Sequence, residues 1–155
     1  MNYIGALELN YHVKMITGAE FPVKYGKGSA GKIHIELGGD NKPAGKEYSS
    51  IKFSGNKIKI MGSDDPDFGK VNYKYRESFP KRQYIGTLFG VYDFLEKYCG
   101  VRWYGLTDDA TSFTPRKTLA VQVKDNYHSS PTDAFRSNHN SAVMVNNFSE
   151  FFTSV

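Results

Sequence analysis

Apolar side chains at Ile4, Leu7, Tyr11 and Met15 recur at helical spacing, and Leu9, Val13 and Ile16 widen the same face. Thr17-Gly18 follows, a stop where the chain can turn left-handed. The pattern predicts a helix over Ile4 to Thr17. Phe21-Pro22-Val23 then leads into a glycine- and lysine-rich loop, Lys24 to Lys32, too polar to pack. At Ile33 the period changes to two. Ile33, Ile35 and Leu37 alternate with His34 and Glu36, which predicts a strand with one buried face, closed by Gly38-Gly39-Asp40. Tyr48, Ile51 and Phe53 run into Ser54-Gly55-Asn56, after which Ile58 and Ile60 alternate with Lys57 and Lys59. That is the signature of a hairpin with a short glycine turn and its lysines in water.

From Ser63 to Tyr84 periodicity is lost among Asp64, Asp65, Pro66, Asp67, Gly69 and Pro80, which reads as a long loop or insertion. Gly86-Thr87 opens the clearest helix of the chain. Leu88, Val91, Tyr92, Leu95 and Tyr98 share one broad face with Phe89 and Phe94 beside it, and Gly100 stands where a helix end needs positive φ. Two strands are expected after it, Val101 to Tyr104 and Thr118 to Val123, separated by a polar stretch from Thr107 to Lys117. Beyond Asp125 serine, asparagine and histidine dominate and Ser130-Pro131 stops any strand, so a boundary is expected: a domain over 1–128 and a linker over 129–155. The last stretch carries Val143, Val145, Phe148, Phe151 and Phe152 without an evident partner. Helices interleaved with short strands suit an α+β layer, with Leu88, Phe89, Tyr92, Leu95 and Trp103 packed on one sheet face.

Composition narrows the classes. The 155 residues, 39% hydrophobic with six prolines, suffice for one domain with its own core. No apolar run approaches the roughly 18 residues of a spanning helix, so no membrane partner is expected. The first residues lack a charged n-region followed by an apolar stretch, so no secretory signal is read in them. A single cysteine, Cys99, excludes internal disulfides and multi-cysteine zinc sites. A net charge of +4 is modest for a nucleic-acid binder.

Candidate chemistry is sparse. Asp64, Asp65, Asp67, Asp108 and Asp109 stand in turns, where structural or solvated roles are the default, and no catalytic residue is assigned. Asp64 to Gly69 lacks the ligand spacing and closing glutamate of a calcium loop. His34-Ile35-Glu36 matches the H-x-E of zinc deaminases without the paired cysteines that chemistry requires; no metal site or cofactor is expected. Cys99 reads as a small buried hydrophobe, and Gly86 and Gly90 as glycines that permit close packing rather than a phosphate loop. The candidate ligand-binding residues are Tyr73, Tyr75, Arg76, Lys81, Arg82 and Tyr84. Their rings and charges could stack sugars or bases, while an ordinary amphipathic loop is the favoured reading of them.

The block Gly86-Thr87-Leu88-Phe89-Gly90-Val91-Tyr92-Asp93-Phe94-Leu95-Glu96-Lys97-Tyr98-Cys99-Gly100-Val101-Arg102-Trp103-Tyr104 resembles a signature, G-T-L-Y-G-V-Y-x-F-L-E running into L-G-V-R-W-Y, of accessory domains that precede glycoside hydrolase barrels. The relatives are the N-terminal domains of family 67 α-glucuronidases and family 20 hexosaminidases, and similar domains in bacterial polysaccharide-degradation proteins. Ala6-Leu7-Glu8-Leu9 through Met15 to Val23, Ile33 to Gly38 and Ile58 to Gly62 are similar to further family segments, so the likeness covers most of 4–125. It implies a mixed sheet with helices packed on it, in a zincin-like, hexosaminidase-like topology without the metal motif. It also implies a non-catalytic role beside a catalytic barrel, in cis or on a split chain, in a secreted or periplasmic parent. The family's first strand has no counterpart here, and the 63–84 insertion is longer than the family's. Pro131 to Arg136 is similar to the entry into the barrel whose carboxylates do the chemistry, so no catalytic residue is transferred. The alternative is a stand-alone module that binds a glycan, with nucleic acid behind it.

Overall fold

The computed structural model describes residues 2–26, 32–39, 48–64, 84–105, 107–122 and the backbone of 127–129. Helix α1 spans Asn2–Thr17 and strand β1 His34–Leu37; β2, Ser49–Ser54, and β3, Lys57–Gly62, form the expected hairpin. Helix α2 spans Gly86–Phe94 and continues as one wide turn over Leu95–Cys99. Short strands β4, Arg102–Trp103, and β5, Thr111–Ser112, flank a 3-10 turn at Asp108–Ala110, and β6 is Tyr127–Ser129.

The chain is α+β, with a four-stranded mixed sheet ordered β1-β3-β2-β6. β1 runs parallel to β3, and β2 is antiparallel to both β3 and β6. Register sorts the two sheet faces. Ile35↔Ile58, Leu37↔Ile60, Ile51↔Ile60 and Phe53↔Ile58 make the inner rows, whereas His34↔Lys57, Glu36↔Lys59, Lys52↔Lys59 and Ser54↔Lys57 make the outer ones. The inner rows meet α2, and α1 lies against α2: a β-carbon at Gly5 would come 3.2 Å from Val91 and 3.4 Å from Leu37. Ile4, Leu9, Val13, Ile16, Ile51, Ile60, Leu88, Phe89, Val91, Phe94 and Leu95 form the core.

Helix α2 is built from both ends. Its own N-cap, Ile85, has no side-chain oxygen to offer, and Asp64 fills that role from a distance, its Oδ1 accepting the Thr87 N–H at 3.0 Å. Asp64 is thus structural rather than solvated. Gly100 ends the helical segment with φ +77°, and the Val101 N–H returns to the Leu95 carbonyl at 3.1 Å. Leu95 is fully buried between these ends. Leu95→Ala is expected to cost about 2 to 5 kcal/mol in denaturant unfolding; a loss well under about 1 kcal/mol would remove Leu95 from the core.

Four expectations change. The most buried line of α1 is Ile4, Gly5, Glu8, Leu9, His12, Val13 and Ile16, while Leu7, Tyr11 and Met15 are half-buried. The helix is turned so that its flank, not the Leu7-Tyr11-Met15 line, faces α2. No strand forms over 118–122; Leu119 and Val121 are half-buried against the core without ladder partners. Val101 to Tyr104 shortens to two residues paired with β5, which lies inside the stretch read as a polar connection. Trp103 therefore lies outside the main sheet, its ring meeting His12 and Tyr92 of the two helices at centroid distances of 5.4 and 5.3 Å. β6 departs from the expected pattern; it pairs with β2 through Ser129, His128 and Tyr127, across the expected boundary.

Candidate functional site

The predicted ligand residues Tyr73, Tyr75, Arg76, Lys81 and Arg82 lie outside the described residues, as do Asp65, Asp67 and the segment 130–155. Of that set only Tyr84 is described, half-buried beside Ile85.

The structure gathers a different group, one absent from the candidates read in the sequence. Glu8 and His12, one turn apart on α1, face α2 and β4. The Tyr92 hydroxyl donates to Glu8 Oε2 at 2.9 Å, and the Trp103 indole N–H donates to His12 Nε2 at 3.3 Å. An indole N–H can only donate, so Nε2 carries the lone pair and Nδ1 the proton, which reaches the Glu8 carbonyl oxygen at 2.8 Å. The ring is neutral in this arrangement. Its Nδ1 lies 3.7 Å from Glu8 Oε2. Beside them the Tyr11 hydroxyl donates to Asp108 Oδ2 at 2.6 Å, tying α1 to the 3-10 turn, while Asp108 Oδ1 is buried without a hydrogen-bond partner among the described residues.

Burial governs the electrostatics. Glu8 is 4% exposed and His12 1%. Desolvation pushes the Glu8 carboxyl up to about 7, against a partial lowering by the Tyr92 hydroxyl and with a further push from Asp108. Desolvation likewise holds His12 below its usual value, opposed by its bond to the Glu8 carbonyl and by Asp108. The Tyr92 hydroxyl is raised by burial and by Glu8. Both members of the Glu8-His12 pair thus favour their neutral forms.

A carboxyl poised near neutrality beside a histidine has the composition of an acid-base pair. Its surroundings are those of a core. Tyr92 is 7% exposed, and Glu8, His12, Tyr92 and Trp103 spend their polar atoms on one another. A further buried carboxylate, Asp93, accepts from Ser49 Oγ at 3.1 Å and so pins α2 to β2. Cys99 is fully buried, and desolvation pushes its thiol up to about 12, which keeps it unreactive at neutral pH. No cluster of three metal-ligating side chains occurs among the described residues. None of their helices is long and apolar enough to cross a membrane.

The Glu8-His12 pair had a signal in the sequence. Two polar residues four apart, each followed directly by an apolar one (Leu9, Val13), mark a polar step inside a buried face. It becomes visible only once the helix is phased on Leu9, Val13 and Ile16.

Compared with known proteins, the chain matches no family model, no curated protein and no solved structure.

Proposed function

We propose that this chain is a non-catalytic accessory domain of a glycoside hydrolase of α-glucuronidase or hexosaminidase type. In this reading its topology is the zincin-like, hexosaminidase-like one without the metal motif, and it packs against a catalytic barrel in a secreted or periplasmic parent. The observation that carries the proposal is where the residues of the resemblance go. Along Gly86 to Tyr104, Leu88, Phe89, Val91, Tyr92, Phe94, Leu95, Cys99 and Val101 are all buried in the core, and Asp93 is bonded to the hairpin. The distinctive block serves the scaffold, as a domain supporting a neighbour would use it.

A neighbour also has something to cover. Tyr3 and Tyr25 stack with centroids 6.1 Å apart, and Phe21, Val23 and Tyr104 are exposed, so large apolar side chains remain on the surface of the isolated domain. The chain by itself is expected to show no turnover of aryl glucuronides, aryl hexosaminides or xylan-derived oligosaccharides, because its buried described carboxylates are closed within the core instead of flanking a sugar site. Rigorously purified protein assayed on all three tests this. Activity that disappears with a single substitution, Glu8→Gln included, would overturn the proposal. Sequencing the flanking genome is the complementary measurement, with a barrel-encoding frame expected next to this one.

A further inference from the structure

The outer face of the sheet has a composition that the fold does not explain. Beyond the buried Ser50 and Met61, and His128 of β6 opposite Ser50, its rows carry His34 and Glu36 on β1, Lys57 and Lys59 on β3, and Lys52 and Ser54 on β2. Glu36 is the one carboxylate in those rows, and it is already engaged: Lys57 Nζ lies 2.8 Å from its Oε1 and His34 Nε2 lies 3.4 Å away. The hydrogen bond from Lys57, with its charge, is the main cause that holds the Glu36 carboxyl below its usual value, and His34 adds to it. Lys52 and Lys59 are left over. They stand directly opposite each other on adjacent antiparallel strands, and neither side chain has an ion pair or hydrogen bond among the described residues. Lys52 is exposed, and the Lys59 ammonium lies over Gly39, where any side chain would come within 2.9 Å of it. Like charges directly opposite on a sheet oppose its formation, and Glu36 of β1, which stands opposite Lys59, turns its carboxylate to Lys57 instead.

We propose that this face binds a carboxylate-bearing polysaccharide, with Lys52 and Lys59 as its primary contacts. Anionic groups would remove the repulsion between the two ammonium groups and complete a surface whose own acid is spent on Lys57. The side chains choose among polyanions. The described rows hold no arginine, the residue suited to forked recognition of phosphate, and no phenylalanine, tyrosine or tryptophan on which a neutral sugar could stack. Lysine supplies point charges on flexible stems, which fits carboxylates recurring along a chain of sugar rings. The polysaccharide component rests on the proposed accessory role in a glycoside hydrolase; the anionic component rests on the lysine geometry.

The test is titration of the whole chain with polygalacturonate, a neutral xylan and a single-stranded oligonucleotide, each at low and at raised salt. Polygalacturonate alone is expected to bind, with affinity falling as salt screens the contacts. Lys52→Thr with Lys59→Thr keeps residues suited to a strand and is expected to weaken binding by about fivefold or more, the order for two exposed ion pairs. Lys24→Thr with Lys117→Thr removes the same charge from exposed positions elsewhere and is expected to leave binding intact. Equal loss in both double variants would reduce the effect to net charge and overturn the proposal. Tighter binding of the oligonucleotide, or no binding of polygalacturonate, would overturn it as well. Neither outcome touches the accessory-domain reading, which stands or falls on activity and on the neighbouring barrel.

Discussion

Gly86→Ala is expected to destabilise the domain by about 4 kcal/mol or more, an exceptional cost for one methyl group. A β-carbon at Gly86 would collide with the Tyr48 carbonyl oxygen and lie 2.5 Å from the Ser63 nitrogen, both backbone atoms. Those atoms are already committed: the Ser63 N–H donates to the Tyr48 carbonyl at 2.9 Å, and the Gly86 N–H to the Ser63 carbonyl at 2.7 Å. Relief would require the start of α2 to move off the end of the hairpin, taking with it the Asp64 cap on Thr87. Gly62→Ala meets the same junction from the other side, since its β-carbon would overlap the Gly86 carbonyl carbon. Two other glycines calibrate the effect. At Gly90 the obstacle is the Ile60 Cγ2, 2.7 Å away on a buried β-branched side chain rather than on backbone, so an overpacking cost of about 1 to 3 kcal/mol is expected. At Gly55, φ is +55° with nothing within 4 Å, which leaves only the backbone preference of about 1 to 2 kcal/mol. Urea unfolding of the four alanine variants should rank Gly86 and Gly62 above Gly90 and Gly90 above Gly55. A Gly86→Ala protein as stable as the Gly55→Ala protein would mean that the helix does not sit on the hairpin in this way.

That junction shows which parts of the fold are legible in the sequence. Elements with strong local periodicity are: the extent of α1, though not its phase, the Ser54-Gly55-Asn56 turn with its alternating flanks, and the Gly86 helix with its stop at Gly100 all lie where the pattern places them. Contacts set by distant chain segments are not. The Thr118 to Val123 alternation is real, but alternation also suits an extended strip laid over a core, and no partner strand meets 118–122. β6 is short and polar, and its position depends on the open edge of β2. Asp64 reads locally as a turn residue; its capping role exists only because the hairpin delivers it to the start of α2. The candidate site divides in the same way. A single residue such as Cys99 is readable from its setting at the end of an apolar helix. The Glu8-His12-Tyr92-Trp103 group needs α1, α2 and β4 assembled before its members meet.

The second large effect comes from that group. Glu8→Gln is expected to change how stability responds to pH, and the sign follows from the direction of the shift. In the fold the Glu8 carboxyl is raised from 4.5 to about 7, so folding favours the protonated acid. Its contribution is fully present below about pH 4.5, falls as pH rises through the interval to about 7, and is absent above it. The interval corresponds to about 3 kcal/mol, undiminished by solvent because the side chain is buried. Glutamine keeps the shape and a partner for the Tyr92 hydroxyl and remains neutral throughout. His12 works in the opposite sense: held below 6.5, it favours folding above that pH and costs stability as pH falls. Both proteins carry His12, so its effect cancels in the comparison. The unfolding free energy of the variant minus that of the wild type should therefore rise by about 3 kcal/mol between pH 4.5 and 8, with nearly all the change before pH 7.5. Chemical denaturation at closely spaced pH values measures this difference directly. Parallel curves for the two proteins would show that Glu8 ionises as freely in the fold as in the unfolded chain, and the Glu8-His12 pair would then be a solvated contact rather than a neutral element of the core.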